Sequence, residues 1–208
     1  MKSNSATHFC KVCFSEIRDI SLSDFFLKDR PLCGRCLSKM KPHITRYKIQ
    51  NYSFMSVYRY HEEIRNLLFL FKACGDIELA PIFLSFQAPI LHWYYHGFYL
   101  IPAPSFSERE NKRGFSHVKE MFSVLNLPWI DCLKKTKDVK QADLSYEKRQ
   151  EIKKFLSIEP SIDLRNKKIL FVDDVVTSGA TALAAITLLK SRGAKEVKVL
   201  SMAHTLLS

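Results

Sequence analysis

Four apolar positions in a row, Ile169 to Val172, rich in β-branched and aromatic side chains, predict a short buried strand. A helical period begins at Ala180, sets Leu183, Ile186 and Leu189 on one side, and stops at Gly193. Glu196 to Ala203 then reads as a second strand. Strand, crossover helix and strand in that order predict a right-handed βαβ unit of a parallel sheet. Upstream, NYSFMSVYRY from Asn51 alternates as a strand does. Glu62 to Cys74 carries Ile64, Leu67, Leu68 and Phe71 at helical spacing, with Gly75 as its stop. A second helix is expected from Ile77 to about Phe86, and Gly97 to Ile101 reads as another buried strand. The same periodicity assigns His61 and Lys72 to the surface and the lone Cys74 and Cys132 to core or half-buried positions.

The chemistry gathers where the strand at Ile169 meets the helix at Ala180. Asp173 and Asp174 stand at the hinge, followed by Val175, Val176 and the small residues Thr177, Ser178, Gly179, Ala180 and Thr181. Backbone N–H groups in such a run converge on an anion, and the helix N-terminus adds the positive end of its dipole. Carboxylates beside a phosphate cradle repel the phosphate unless they face sugar hydroxyls or a bridging metal. An ordinary strand–turn–helix is the alternative, but such turns rarely carry two acids followed by a run of small and hydroxyl residues. The stretch ILFVDDVVTSGAT resembles the phosphoribosyl pyrophosphate (PRPP) motif of the type I phosphoribosyltransferases. The resemblance implies that the acidic pair holds the ribose hydroxyls and the loop binds the 5′-phosphate.

A second anion site is expected after the strand at Gly97. Pro102, Ala103 and Pro104 force a defined loop, and Arg109, Lys112, Arg113 and Gly114 precede a helix expected near Phe115. Anion sites in two loops suit a ligand with phosphates at both ends, and PRPP is such a ligand.

The N-terminal segment carries Cys10-x-x-Cys13 and Cys33-x-x-Cys36, with nineteen residues between the pairs. Two such knuckles close around one ion as a tetrahedral structural zinc site. Disulfides suit a cytoplasmic protein less well, and a redox pair would need only one motif. Four thiolates leave no open position, so the zinc folds the segment and performs no chemistry.

The formal net charge of +11 makes polyanions natural partners. Ten Lys and Arg against four acids in residues 1–50 supply about half of it. Lys39, Lys41, Arg46 and Lys48 are interleaved with Tyr47, a pattern of charge for phosphates and rings for bases that suits single-stranded nucleic acid, although a linker can look the same. Between Cys132 and Lys168 the chain is polar. A helix is expected after Ser145, with Lys148, Arg149, Lys153 and Lys154 as a further basic face or a solvated connector. No secretory signal is visible at the start, and the apolar run Leu79 to Tyr95 is broken by two prolines and short for a bilayer span. A cytoplasmic protein is expected, with contact at the inner membrane left open.

The chain as a whole is similar to the ComF family. The double CxxC, YRYHEEIRNLLFLFKACGD, PAPSFSERENKRGF, the Gln141/Leu144/Arg149/Phe155 constellation, DDVVTSGAT and the late Gly193-Ala194 occur in the order of that family. It departs at Ser116-His117, where the family has Asn-Gln, at Ile152 in place of an asparagine, and mildly at Ser178. The resemblance implies an α/β protein: an N-terminal four-cysteine zinc ribbon (1–50), then a type I phosphoribosyltransferase-like parallel-sheet domain (51–208). It also implies DNA uptake in natural transformation, Mg²⁺ held with PRPP, and a mobile loop between Cys132 and Lys168 that covers the reaction centre. Expected partners are single-stranded DNA, PRPP and a helicase-like or inner-membrane component of the uptake machinery. The alternatives are a working phosphoribosyltransferase acting on an amine or nucleobase, and a PRPP-sensing regulator.

Overall fold

The structure is a computed structural model that describes residues 8–17, 30–105, 107–135 and 156–205, with the backbone alone at 107–109. Among these, five strands form one sheet: β1 (Thr45–Ile49), β2 (Tyr52–Arg59), β3 (Phe98–Pro102), β6 (Lys168–Val176) and β7 (Glu196–His204), in the order β1-β2-β7-β6-β3. β2, β7, β6 and β3 run parallel, and β1 closes the edge as an antiparallel hairpin with β2. A separate antiparallel pair, β4 (Leu133–Lys135) and β5 (Leu156–Ile158), brackets residues 136–155. The protein is thus mixed α/β with a mostly parallel sheet.

Parallel strands need cover on both faces, and apolar clusters lie on both. One combines Met55, Val57, Leu100, Leu170, Val172 and Leu200 with Ile64, Leu68 and Phe71 of α2 (Glu62–Lys72), Leu91 of α3 (Ala88–Tyr94), and Val118 and Met121 of α5 (His117–Phe122). The other packs Phe54, Ile101, Phe171 and Val199 against Ala182, Ala185, Ile186 and Leu189 of α6 (Ala180–Ser191). The expected βαβ unit is therefore β6-α6-β7.

Several elements differ from expectation. β6 runs four residues past Val172, because β7 beside it continues to His204 and keeps pairing: Asp173 faces Ser201 and Val176 faces His204. The acids lie in the strand rather than at a hinge. The helix expected from Ile77 to Phe86 is a 3-10 segment, Ile77–Ile82, followed by α3. Pro81 lacks the N–H that a continuing α-helix requires, and Pro89 sits in the first turn of α3. The basic run at Tyr47 is a strand, since Gln50 at φ 53 lets Ile49 turn back to pair with Tyr52. Cys74 is exposed, whereas Cys132 is buried.

The cysteine segment does not stand alone. Cys10, Leu32, Cys36 and Met40 belong to the same buried cluster as Leu68 and Phe83. Lys11 Nζ meets Glu78 Oε2 at 2.5 Å, and His61 Nε2 lies 3.0 Å from the Met40 carbonyl at the end of α1 (Gly34–Met40).

Candidate functional site

The acidic pair sits at the C-terminal end of a central strand, where parallel α/β sheets bind their ligands. The Asp174 N–H donates to Asp173 Oδ1 at 2.9 Å, which fixes the first carboxyl against the backbone. Burial holds the Asp173 carboxyl up at about 7, while Lys72 and Lys135 pull it the other way. Thr177 and Ser178 are exposed at the mouth, and Gly179 takes φ +75 to start α6. No side chain caps that helix start, the condition under which helix amides can take an anion. A Cβ on Gly179 would stand 2.5 Å from Ile49 Cδ1, so β1 backs the loop directly.

The proline loop arrives beside the acids through pairing. Pro102 faces Val172, and the Ala103 N–H donates to the Val172 carbonyl at 2.7 Å. The chain then forms α4 (Ser107–Arg113) rather than the expected loop, with Lys112 and Arg113 in its last turn and Gly114 at φ 85 beyond. Lys112 is exposed; the Arg109 side chain lies outside the described residues.

Lys72 is placed where the surface expectation did not put it. Its Nζ contacts Asp174 Oδ2, from α2 to β6. Arg113 Nε donates to the Lys72 carbonyl at 2.9 Å, and Arg113 Nη1 donates to His117 Nδ1 at 2.9 Å. The other ring nitrogen, Nε2, stands 3.9 Å from Asp174 Oδ1. Burial, with the Lys72 and Arg113 charges beside it, pushes His117 well below its usual range, so the ring is neutral and accepts from Arg113. Lys72, His117 and Arg113 thus join the two predicted anion sites around one carboxylate. The sequence carried a signal for Lys72: it follows the buried Leu68 by four residues and so shares its side of α2.

Cys10, Cys13, Cys33 and Cys36 bring their sulfurs within 4.8 Å of one another, and Cys13 and Cys33 stand 3.7 Å apart. A zinc tetrahedron with Zn–S of about 2.3 Å has sulfur edges of about 3.8 Å, so the four fit that ion. The first knuckle closes by Cys10 N–H to the Ser15 carbonyl at 2.9 Å, and the second uses the start of α1. Hydrogen bonds from Ser15 hold the Cys13 thiol down at about 5.

The expected nucleic-acid residues separate. Lys39 and Lys41 are exposed at the end of α1, and Arg46 and Lys48 are exposed on β1. Tyr47 points the other way, stacks on Phe54 at 5.6 Å between ring centres and bonds Ser56 Oγ at 2.9 Å. Lys148, Arg149, Lys153 and Lys154, with Gln141, Leu144, Ile152 and Phe155, lie outside the described residues.

A phosphoribosyl transferase domain model matches residues 111–204, the span that holds Arg113, β6, the acid pair and α6. A curated relative, "Competence protein ComFC" of Streptococcus pneumoniae (strain ATCC BAA-255 / R6), is 27% identical over 150 residues, 72% of this chain and 67% of its own. Together these matches make the chain similar to ComFC and to the phosphoribosyl transferase domain. Among solved structures, a purine phosphoribosyltransferase from Pyrococcus horikoshii Ot3 is 21% identical with a TM-score of 0.38, covering 60% of this chain and 73% of its own. A hypoxanthine phosphoribosyltransferase from Staphylococcus aureus is 11% identical with a TM-score of 0.40, covering 59% of this chain and 61% of its own. The chain is thus similar to a competence protein, and its residues 111–204 match the phosphoribosyl transferase domain. No helix among the described residues is long and apolar enough to cross a membrane.

Proposed function

We propose that this ComFC-type chain acts in DNA uptake, binding single-stranded DNA and, at the end of β6, PRPP with Mg²⁺. The observation that carries the reading is the placement of Asp173 and Asp174 between the uncapped start of α6 and the cations Lys72 and Arg113. Ribose hydroxyls donate to the two carboxylates. The amides of Thr177 to Thr181 receive the 5′-phosphate. The pyrophosphate lies toward Pro102, Ala103, Pro104, Lys112, Arg113 and Gly114, and Arg109 falls on the same segment.

Mg²⁺, a hard cation that keeps few protein ligands, would be held with the ligand's own oxygens beside Asp173 and Asp174 and would offset the phosphate charge there. Zinc at the four cysteines is structural. The residue ranges 1–50 and 51–208 remain the proposed division by role, although the two share a buried core. The chain works at the cytoplasmic face, where the incoming strand meets a helicase-like or inner-membrane component.

The test is a titration of fluorescent single-stranded DNA at two salt concentrations, with and without PRPP and Mg²⁺. Wild type is compared with Asp173→Ala/Asp174→Ala. The reading expects a steep salt slope and a PRPP effect that vanishes in the double variant. DNA binding absent at moderate salt overturns the nucleic-acid half, and PRPP binding unchanged in the double variant overturns the ligand half.

A second reading, a working phosphoribosyltransferase, is favoured by the family match over residues 111–204. It requires pyrophosphate release with a defined amine or nucleobase acceptor. Its transition state would be oxocarbenium-like, with leaving-group charge stabilised by Arg113 and its neighbours.

A further inference from the structure

β1 presents its two faces to different places. Tyr47 and Ile49 turn toward α6 and the PRPP loop, while Arg46 and Lys48 turn to the opposite face of the sheet. There they line a groove of about 380 Å³ with Ser53, Met55, Tyr94 and Lys198. Arg46 Cζ lies 4.9 Å from the centre of the Tyr94 ring, and Lys198 Nζ lies 5.6 Å from the same ring and 5.1 Å from that of Phe98. Tyr94 meets Tyr95 edge-on at 4.9 Å, which fixes its plane. Two cations thus lie over one anchored, partly exposed ring, Lys48 lines the same groove, and among the described residues no carboxylate does. Glu196 Oε1, 3.1 Å from Lys198 Nζ, offsets part of that charge from outside it.

We infer that this groove is a binding site for single-stranded nucleic acid, with phosphates on Arg46, Lys48 and Lys198 and a base stacked at Tyr94. The inference rests on the nucleic-acid half of the proposed function and gives it a location. Cations spaced along a groove follow a backbone. A ring, or a guanidinium held over one, offers every base a flat partner regardless of sequence. The site is distinct from the PRPP loop. Lys198 lies level with Leu170, six residues before the end of β6, which at about 3.3 Å per residue puts roughly 20 Å between them. Tyr94 and Lys198 stand 104 positions apart in the chain, and no local pattern shows that they meet.

The experiment is binding of a fluorescent oligothymidylate by the full chain across a salt series. Variants are Tyr94→Leu, Tyr94→Phe and the triple Arg46→Gln/Lys48→Gln/Lys198→Gln, each checked for an unchanged melting temperature and unchanged PRPP binding. Tyr94→Leu is expected to weaken binding by roughly fivefold to more than a hundredfold, with Tyr94→Phe restoring it. The triple variant is expected to lower the slope of log affinity against log salt by about 2. Wild-type binding with all variants unchanged overturns the groove and leaves the nucleic-acid reading standing. No wild-type binding at moderate salt overturns both. Thymidine monophosphate displacing the oligomer at equal concentration overturns the groove as a strand site.

Discussion

Lys72 on α2 and Asp174 on β6, 102 positions apart, form an ion pair inside the candidate site. Asp174 is one of the two acids read as ribose ligands, so a ribose diol and the Lys72 ammonium compete for the same carboxylate. Release of Lys72 toward the phosphates would keep both charges matched when PRPP arrives.

The pair is testable without ligand. Lys72→Met leaves a largely buried carboxylate without its cation, at a cost of about 1–3 kcal/mol. For a chain of this size that lowers Tm by about 3–10 °C. Lys72→Met/Asp174→Asn should recover most of the loss, and thermal melts of the four proteins in the cycle decide it. Additive losses in the double variant would mean the two side chains do not act as a pair.

Asp173 gives a pH signature. Its carboxyl is held up at about 7 by burial, so the folded chain keeps a proton that the unfolded chain releases near 4. That contribution to stability is complete at low pH and is lost as pH rises toward and through about 7. The wild type should therefore lose stability relative to Asp173→Asn across that window. PRPP–Mg²⁺ affinity should move the opposite way, rising up to about tenfold between pH 6 and 8 as the carboxylate forms, by calorimetry in matched buffers. A flat difference in Tm would remove Asp173 from this role.

Gly179→Ala should disable the loop. The new methyl group meets Ile49 Cδ1, and φ +75 is a conformation that costs an L-residue about 1–2 kcal/mol. PRPP binding is expected to fall at least tenfold. Adding Ile49→Ala should relieve the clash but not the backbone cost, so titration calorimetry should find only partial recovery. Full recovery would assign the whole effect to the clash.

Zinc removal should be felt far from the cysteines, since Cys10 and Cys36 are buried in one cluster with Met40, Leu68 and Phe83. Metal analysis should return one zinc per chain. Cys36→Ser or a strong chelator should lower Tm by about 5 °C or more in a single transition. Two separate transitions would show that the cysteine segment folds independently of the sheet.

The cysteine pairs, β6-α6-β7 and the acid–loop run were legible because their information is local. Spacing alone closes a thiolate knuckle, an apolar run alone makes a buried strand, and a glycine before a helical period alone opens an amide cradle. His117, Tyr94, Lys198 and Ile49 were not legible as site residues, and for Lys72 the helical spacing showed only its side of α2. Each acts by meeting a residue on another element, and the strand order β1-β2-β7-β6-β3 decides those meetings. The same cause moved Asp173 and Asp174 from a hinge into a strand, because hydrogen bonding to β7 outlasts the apolar run. Sequence determined which chemistries the chain carries. Only the tertiary structure decided that Tyr47 stacks on Phe54 and bonds Ser56 while Arg46 reaches the Tyr94 ring, and that Lys72, His117 and Arg113 gather around Asp174. Side-chain direction and cross-strand partners are set by pairing and burial that no single segment contains.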